Sequence, residues 1–270
     1  MTIKLVTDDR IAETSSKGNQ EKWREHGRWY KLDLFGYEGL AETATSSLLA
    51  KTNVEELGFR YVTYRMEKLD VHRRVRLGCS SADFLEPGDA ILTVADLLRK
   101  GIGPDWQSIV KKQPNLAAKI RWIAERVTEL TGLERFGVYL TLLFEVDMLF
   151  GNEDRHLNNI AVLRRGEGFD YCPIFDFGAG LLSNIRDYPM DIEPKGLLGQ
   201  LRAKPMDCTF TRQVRAAQAT SGPQLRCDLT ESDVLDALEE PLTYYAQRDI
   251  PYLRDRILYC IKAQQKKLFA

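Results

Sequence analysis

The sequence predicts an α+β fold of two lobes, a small β-rich one followed by a larger helical one. Three observations predict it. Short β-like runs around one helix fill residues 1 to about 78, helices with recognisable caps dominate from Thr93 onward, and the change of regime falls in the stretch 79–87. The lobes are accordingly assigned to residues 1–82 and 83–270.

Taken in order, Trp29–Leu34 (WYKLDL) alternates as a strand does, and Leu40–Lys51 has a helical composition. Phe59–Glu67 (FRYVTYRME) and Val75–Cys79 (VRLGC) are further strand candidates. Thr93 can cap a helix over Val94–Lys100 that Gly101 closes, and Asn115 one over Leu116–Thr131 that Gly132 closes. Phe136–Phe150 (FGVYLTLLFEVDMLF) is apolar on nearly every face, which marks a buried helix, and Gly151 suits its end. Ile160–Leu163 and Phe169–Phe175 read as two strands around the turn RRGEG. Thr230 opens a helix with acidic residues in its first turn, and Pro251 sits at the first position of a last helix to about Phe269.

Composition bounds the function. With 270 residues, 44% hydrophobic and 29% charged, the chain suits a soluble globular protein with a sizeable core. A net charge of −1 leaves no global basic footprint for nucleic acid. The five cysteines are widely spaced without a CxxC pair, which argues against a disulfide framework and a zinc site and for a reducing compartment. No apolar run approaches the ~20 residues of a membrane span, and MTIKLVTDDR lacks a signal-peptide core. A cytoplasmic protein is expected.

The chemistry concentrates in Gly151–Ile160 (GNEDRHLNNI) and Ile174–Gly178 (IFDFG). An Asp and an Asn five apart, then an Asp-Phe-Gly, suit phosphoryl transfer from a magnesium nucleotide. Asp154 can orient or deprotonate an attacking hydroxyl; Asn159 and Asp176 can hold the metal. An isolated Asp-Phe-Gly is common, and Asp154–Arg155 alone reads as a surface ion pair. The weight lies on the joint order of buried helix, polar loop, hairpin and Asp-Phe-Gly, that of a kinase catalytic lobe. His156 reads as a satisfied structural histidine.

A kinase also needs a cation for the phosphates and an acid to hold it. Lys31, a lone basic residue among β-formers, is the candidate cation; Glu42 on the following helix is its partner, with Glu38 in reserve. The loop Thr14–Lys22 (TSSKGNQEK) has small residues that can offer backbone N–H groups to phosphates, although it is neither a Walker A sequence nor a GxGxxG loop. The adenine-contacting hinge is expected around Gly78–Asp83.

The chain resembles the HipA-like kinases, a branch of the protein-kinase-like superfamily. The resemblance rests on Ser16–Lys22, Tyr30-Lys31, Tyr37–Glu42, Asn152–Asn159 and Phe175–Gly178, and covers roughly residues 14–260. Asp154-Arg155-His156 followed by Asn159 also resembles the catalytic loop of phosphoinositide-type lipid kinases. The resemblance implies a bilobal protein-kinase-like fold and an ATP–magnesium phosphotransferase. Asp154, Asn159, Asp176 and Lys31 would be its catalytic set, Asn159 and Asp176 the metal ligands. Lys31, Glu42, Ser16, Gly18 and Asn19 would form the nucleotide site. Some relatives autophosphorylate in the phosphate loop, which singles out Ser15 or Ser16. Longer relatives carry a segment before this loop, whereas this chain starts almost at it, which weighs against a toxin–antitoxin partnership built on that segment.

The expected activity is transfer of the γ-phosphoryl group of Mg-ATP to a hydroxyl, foremost a protein Ser/Thr, with autophosphorylation included. The alternatives are a small-molecule or lipid kinase and a catalytically weak ATP-binding regulatory module. ATP and an unidentified protein substrate are the expected partners, with no nucleic acid and no membrane. Ala179–Pro189 corresponds in position to an activation segment, with Ser183 and Tyr188 as modification candidates, and Lys204–Gln213 should face substrate.

Overall fold

A computed structural model describes residues 3–6 (as backbone), 21–71 and 73–270 of the chain. Five strands make the first sheet: β1 (Ile3–Val6), β2 (Lys22–Glu25), β3 (Arg28–Leu32), β4 (Tyr64–Val71) and β5 (Arg74–Ala82). Their order is β1-β4-β5-β3-β2, antiparallel throughout except that β1 runs parallel to β4. Helix α1 (Glu38–Leu49) packs on this sheet between β3 and β4. Among the described residues eight further helices follow: α2 (Val94–Gly101), α3 (Trp106–Lys111), α4 (Leu116–Thr131), α5 (Phe136–Phe150), α6 (Pro194–Leu198), α7 (Phe210–Ser221), α8 (Glu231–Leu242) and α9 (Ile250–Leu268). Between them β6 (Ala90–Thr93), β7 (Ala161–Arg165) and β8 (Gly168–Tyr171) form a second, antiparallel sheet in the order β6-β7-β8. A small sheet region followed by a larger helical part is the α+β, bilobal arrangement the sequence predicts.

The local signals act where they stand. The Thr93, Asn115 and Thr230 side chains accept the N–H groups of Asp96, Ala118 and Asp233, and Asp233 returns a bond to Thr230. Gly132 and Gly151 end α4 and α5 in the left-handed conformation, φ 73° and 65°. Gly101 does not close α2: it is the last helical residue, Ile102 is the cap, and the left-handed turn falls on Gly103, φ 117°. The strand expected over Phe59–Glu67 starts only at Tyr64 and runs to Val71. The residues before it instead bond the approach to the Asp-Phe-Gly turn, with Val62 N–H donating to Ile174 O and Ile174 N–H to Arg60 O, both at 2.8 Å. The expected second strand of the hairpin stops at Tyr171 for the same reason.

Alternation in β2 and β3 sets the direction of Lys22 and Lys31. Trp23, Tyr30 and Leu32 bury themselves with Leu69 and Val71 in one cluster, the Trp23 and Tyr30 rings stacked at 5.4 Å. Lys22 and Lys31, directly opposite each other in the ladder, leave by the other face, beneath which α1 lies. The main core is continuous from α1 and β4 through α5 to α9. At its centre α5 is almost wholly buried, as its composition predicts, yet it carries Glu145 and Asp147, 1% and 0% exposed. Buried carboxylates need partners, and these two have them. Glu145 accepts from Gln218 Nε2 and from the backbone N–H groups of Gln224 and Leu225, which fixes the chain after α7. Asp147 belongs to the site.

Candidate active site

The site assembles around three charges from three elements. Lys31 on β3 donates from Nζ to Glu42 Oε1 on α1 and to Asp176 Oδ1, the latter at 2.6 Å. Glu42 is fully buried, and its second oxygen accepts the Phe177 N–H at 2.8 Å, so α1 holds both the lysine and the turn that carries Asp176. Burial alone would lower the Lys31 pKa, but Asp176 and Glu42 outweigh it and hold the ammonium well above its ordinary value. Burial likewise works to raise the Asp176 carboxyl, and Lys31 and then Lys22 overcome it and hold the group ionised, below the usual carboxylate range. Glu42 is pushed upward by burial, which Lys31 only partly offsets. Asp176 sits in the left-handed region, φ 67°, sparsely populated for a non-glycine residue and found at sites where the surroundings dictate geometry. Glu38, the reserve partner, is committed elsewhere: it accepts the N–H groups of Phe35 and Gly36.

The loop after α5 is held from beneath by a buried ion pair. Arg155, 1% exposed, donates from Nε to Asp147 Oδ2 at 3.0 Å and from Nη2 to Oδ1 at 3.1 Å. Its remaining nitrogen donates to the carbonyls of Asn159 and Phe175. Asn152 bridges Asp147 Oδ1 at 2.8 Å to the Asp176 carbonyl at 3.1 Å. One guanidinium and one amide thus tie the backbone of the 152–159 loop to the Asp-Phe-Gly turn. The surface pair that Asp154–Arg155 would make as an isolated dipeptide is not formed, because Arg155 turns inward to neutralise Asp147. The signal was in the sequence: an Asp inside an otherwise apolar helix has to find a cation.

Freed from that pair, the Asp154 side chain is 59% exposed. Burial of the neighbouring surface and the Asp176 charge raise its pKa, against His156, Arg155 and Lys204, with burial the largest influence. Asn159 donates to the Asp154 carbonyl at 2.9 Å, which closes the loop. His156 is not the satisfied structural histidine expected. It is 41% exposed, with Nε2 3.8 Å from Asp154 Oδ1 and Nδ1 without a partner among the described residues.

Lys31, Glu42 and Asp176 are thus brought into contact, with Asp154 and Asn159 on the adjoining loop. Ser16, Gly18 and Asn19, and with them Ser15, lie outside the described residues. Lys22, at the end of the loop, leaves the sheet on the same side as Lys31: burial lowers its pKa and Asp176 raises it. The expected hinge range is mostly strand β5, and the crossover starts at Asp83, which accepts from Trp29 Nε1 and Leu85 N and pairs with Arg24 at 2.5 Å. Beside it stand the rings of Phe84 and Phe175, 6.4 Å apart.

In the segment after Gly178, residues 180–183 and Tyr188 are buried, while Ile185–Asp187 between them are exposed. Ser183 is fully buried and donates to Gly178 O; Tyr188 is 8% exposed and donates to both Glu153 oxygens at 2.7 and 2.8 Å. Leu181 and Ser183 accept from Tyr37, through its hydroxyl and its N–H respectively. Gly36 permits this contact, since a Cβ there would stand 2.0 Å from Ser183 O. Neither hydroxyl is available for modification in this arrangement.

With that geometry in place, comparison with solved structures identifies the architecture. The proinflammatory kinase CtkA of Helicobacter pylori superposes with a TM-score of 0.59 over 94% of this chain and 93% of its own, at 14% identity. The chain shares the fold of that kinase. The HipA of a Shewanella oneidensis toxin–antitoxin system, solved with HipB and operator DNA, matches over 95% of this chain and 67% of its own at 14% identity, with a TM-score of 0.41. No family model and no curated protein matches the sequence. The kinase-like fold expected from the motifs is therefore met, at an identity that speaks for the fold alone. Among the described residues no helix is long and apolar enough to cross a membrane.

Proposed function

We propose that the chain is a kinase of the HipA-like type, transferring the γ-phosphoryl group of Mg-ATP to a protein serine or threonine hydroxyl. The observation that carries the reading is the Lys31 ammonium held between Glu42 and Asp176, with the exposed carboxylate of Asp154 on the adjoining loop. In this reading residues 1–82 and 83–270 are the two lobes.

The residues fit the nucleotide and its metal. Among the described residues there is no group of three or more His, Cys, Asp and Glu able to cage a metal ion. That is what a magnesium site sharing its coordination with substrate phosphates requires, since such sites use one or two carboxylates. Asp176 and Asn159 offer the hard oxygen donors, and Lys31 and Lys22 supply two cations for the phosphates. Ser16, Gly18 and Asn19 are proposed to add backbone donors from the preceding loop. The base is proposed to enter beside the Asp83–Leu85 crossover, against the rings of Phe84 and Phe175. Bound Mg-ATP supplies the phosphoryl group and neutralises the charge around it. Asp154 accepts the proton of the attacking hydroxyl, and Glu42 keeps Lys31 in place.

The test is incubation with Mg-ATP followed by intact-protein mass spectrometry, beside Asp154→Asn. Whole-phosphate mass gains in the wild type alone support the reading and locate an acceptor by peptide mapping. ATP stabilisation without mass gain in either protein moves the weight to an external acceptor, lipid and small-molecule hydroxyls included, or to a nucleotide-sensing module. Absence of any ATP stabilisation would sink it.

A further inference from the structure

The approach to the Asp-Phe-Gly turn runs beside residues 60–64 as a short parallel ladder, and the ladder stops one rung early. Arg60 O accepts the Ile174 N–H and Ile174 O accepts the Val62 N–H, both at 2.8 Å, around the Tyr61–Ile174 bridge. Continued in this register, a parallel ladder would next take the Asp176 N–H to Val62 O. Asp176 leaves strand geometry instead, at φ 67°, and its N–H goes to the Tyr64 hydroxyl at 3.3 Å. A side chain thus replaces the missing backbone acceptor.

Tyr64, at the start of β4 and 7% exposed, is itself fixed from several sides. Its N–H donates to Ser46 Oγ on α1 at 3.1 Å, and its ring stands edge-on to Phe177, centroids 6.2 Å apart at 84°. The Lys31 ammonium lies 5.1 Å from the centroid of the same ring.

The backbone around Asp176 is therefore held by three side chains distant from it in sequence. Tyr64 accepts its N–H, Asn152 Nδ2 donates to its carbonyl at 3.1 Å, and Glu42 Oε2 accepts the following N–H at 2.8 Å. A non-glycine residue at positive φ persists where the surroundings over-determine it. Asn152 and Glu42 also hold Asp147 and Lys31, so removing either disturbs several contacts at once. Tyr64 can lose its hydroxyl alone, since phenylalanine keeps the ring beside Lys31 and Phe177. Metal-ligating carboxylates depend on the hydrogen bonds that orient them, and loss of such a support weakens metal binding.

Resting on the kinase reading, we infer that Tyr64 is a positioning residue for the metal: its hydroxyl fixes Asp176 in the conformation in which this carboxylate, already on Lys31, would hold magnesium. Tyr64 itself touches neither metal nor nucleotide in this assignment, and it exchanges no proton.

The experiment compares wild type, Tyr64→Phe and a control, Tyr139→Phe, which strips another buried hydroxyl from its acceptor, Cys172 O at 2.9 Å. One arm reads amide hydrogen exchange of the unliganded protein residue by residue by NMR. The Asp176 amide should exchange on the order of 10-fold faster in Tyr64→Phe, with the Val62 and Ile174 amides unchanged. The other arm follows thermal stabilisation by ADP at rising magnesium concentration. The half-maximal magnesium concentration should rise about 3- to 10-fold in Tyr64→Phe and keep its wild-type value in Tyr139→Phe. An Asp176 amide that exchanges at the wild-type rate in Tyr64→Phe, or an unmoved magnesium midpoint, overturns the assignment. An equal midpoint shift in Tyr139→Phe overturns it too, because general loosening would then explain both. A wild type that gains no stability from ADP at any magnesium concentration sinks the kinase reading, and the metal role of Tyr64 falls with it. Faster Asp176 exchange in Tyr64→Phe would then trace that failure to the reading and not to the hydrogen bond.

Discussion

The two sides of the cleft are built on opposite terms. On one side Lys31, Glu42 and Asp176 form a buried knot whose members, 10%, 0% and 24% exposed, are already paired. On the other side Asp154 stands 59% exposed, with His156 Nε2 3.8 Å from its carboxylate. Charges out of water are set by their partners, so the first side is rigid and contributes to the fold. Charges in water are screened and free to turn, so the second side is stabilised from beneath, by Arg155 and Asp147, rather than by its own contacts. Substitutions that look alike on paper should therefore act on different quantities.

The largest contrast pairs Lys31→Ala with Asp154→Asn. Removing Lys31 leaves two carboxylates buried against each other, and loss of one partner from a buried ion pair costs about 3–5 kcal/mol. Denaturant unfolding should show that loss, together with loss of ATP-dependent stabilisation. Asp154→Asn should stay within roughly 0.5 kcal/mol of wild type and keep nucleotide binding, while turnover falls about 10²- to 10⁴-fold. Equal destabilisation by the two would erase the distinction between the sides.

A second contrast concerns pH. Asp33, at the foot of α1, accepts the Gly39 N–H at 2.6 Å. Burial, reinforced by the Glu38 charge, pushes its carboxyl from the usual range to about 7. The folded state therefore keeps a proton that the unfolded chain gives up near pH 4. This contribution is complete below that pH and is lost as pH rises through 7. Between pH 5 and 8 it amounts to roughly 2–3 kcal/mol. The drop in melting temperature over that interval should shrink in Asp33→Asn, whose amide oxygen still accepts from Gly39. An undiminished drop would place the titration elsewhere.

The smallest effect is expected at Tyr188→Phe, which removes one hydroxyl from Glu153 and should cost about 1 kcal/mol. Proteins treated with Mg-ATP should carry no phosphate at Ser183 or Tyr188, as peptide mapping can check; phosphate there would mean that the segment leaves its buried position.

What the sequence by itself determined was everything written in neighbouring residues. The caps at Thr93, Asn115 and Thr230, the left-handed ends at Gly132 and Gly151, the buried α5 and the order of the motifs all depend on contacts within one or two turns. Strand alternation likewise let Lys31 and Glu42 be paired from order alone. Tertiary structure decided the rest. Lys31 meets Asp176 across 145 positions and Glu153 meets Tyr188 across 35, and no periodicity encodes such a meeting. It turned Arg155 inward, buried Ser183 and Tyr188, and set Lys22 opposite Lys31. The physical reason is the cost of burying polar groups unpaired. A chain announces locally that Asp147 or Asp176 will need a partner, but which cation arrives depends on how the segments pack.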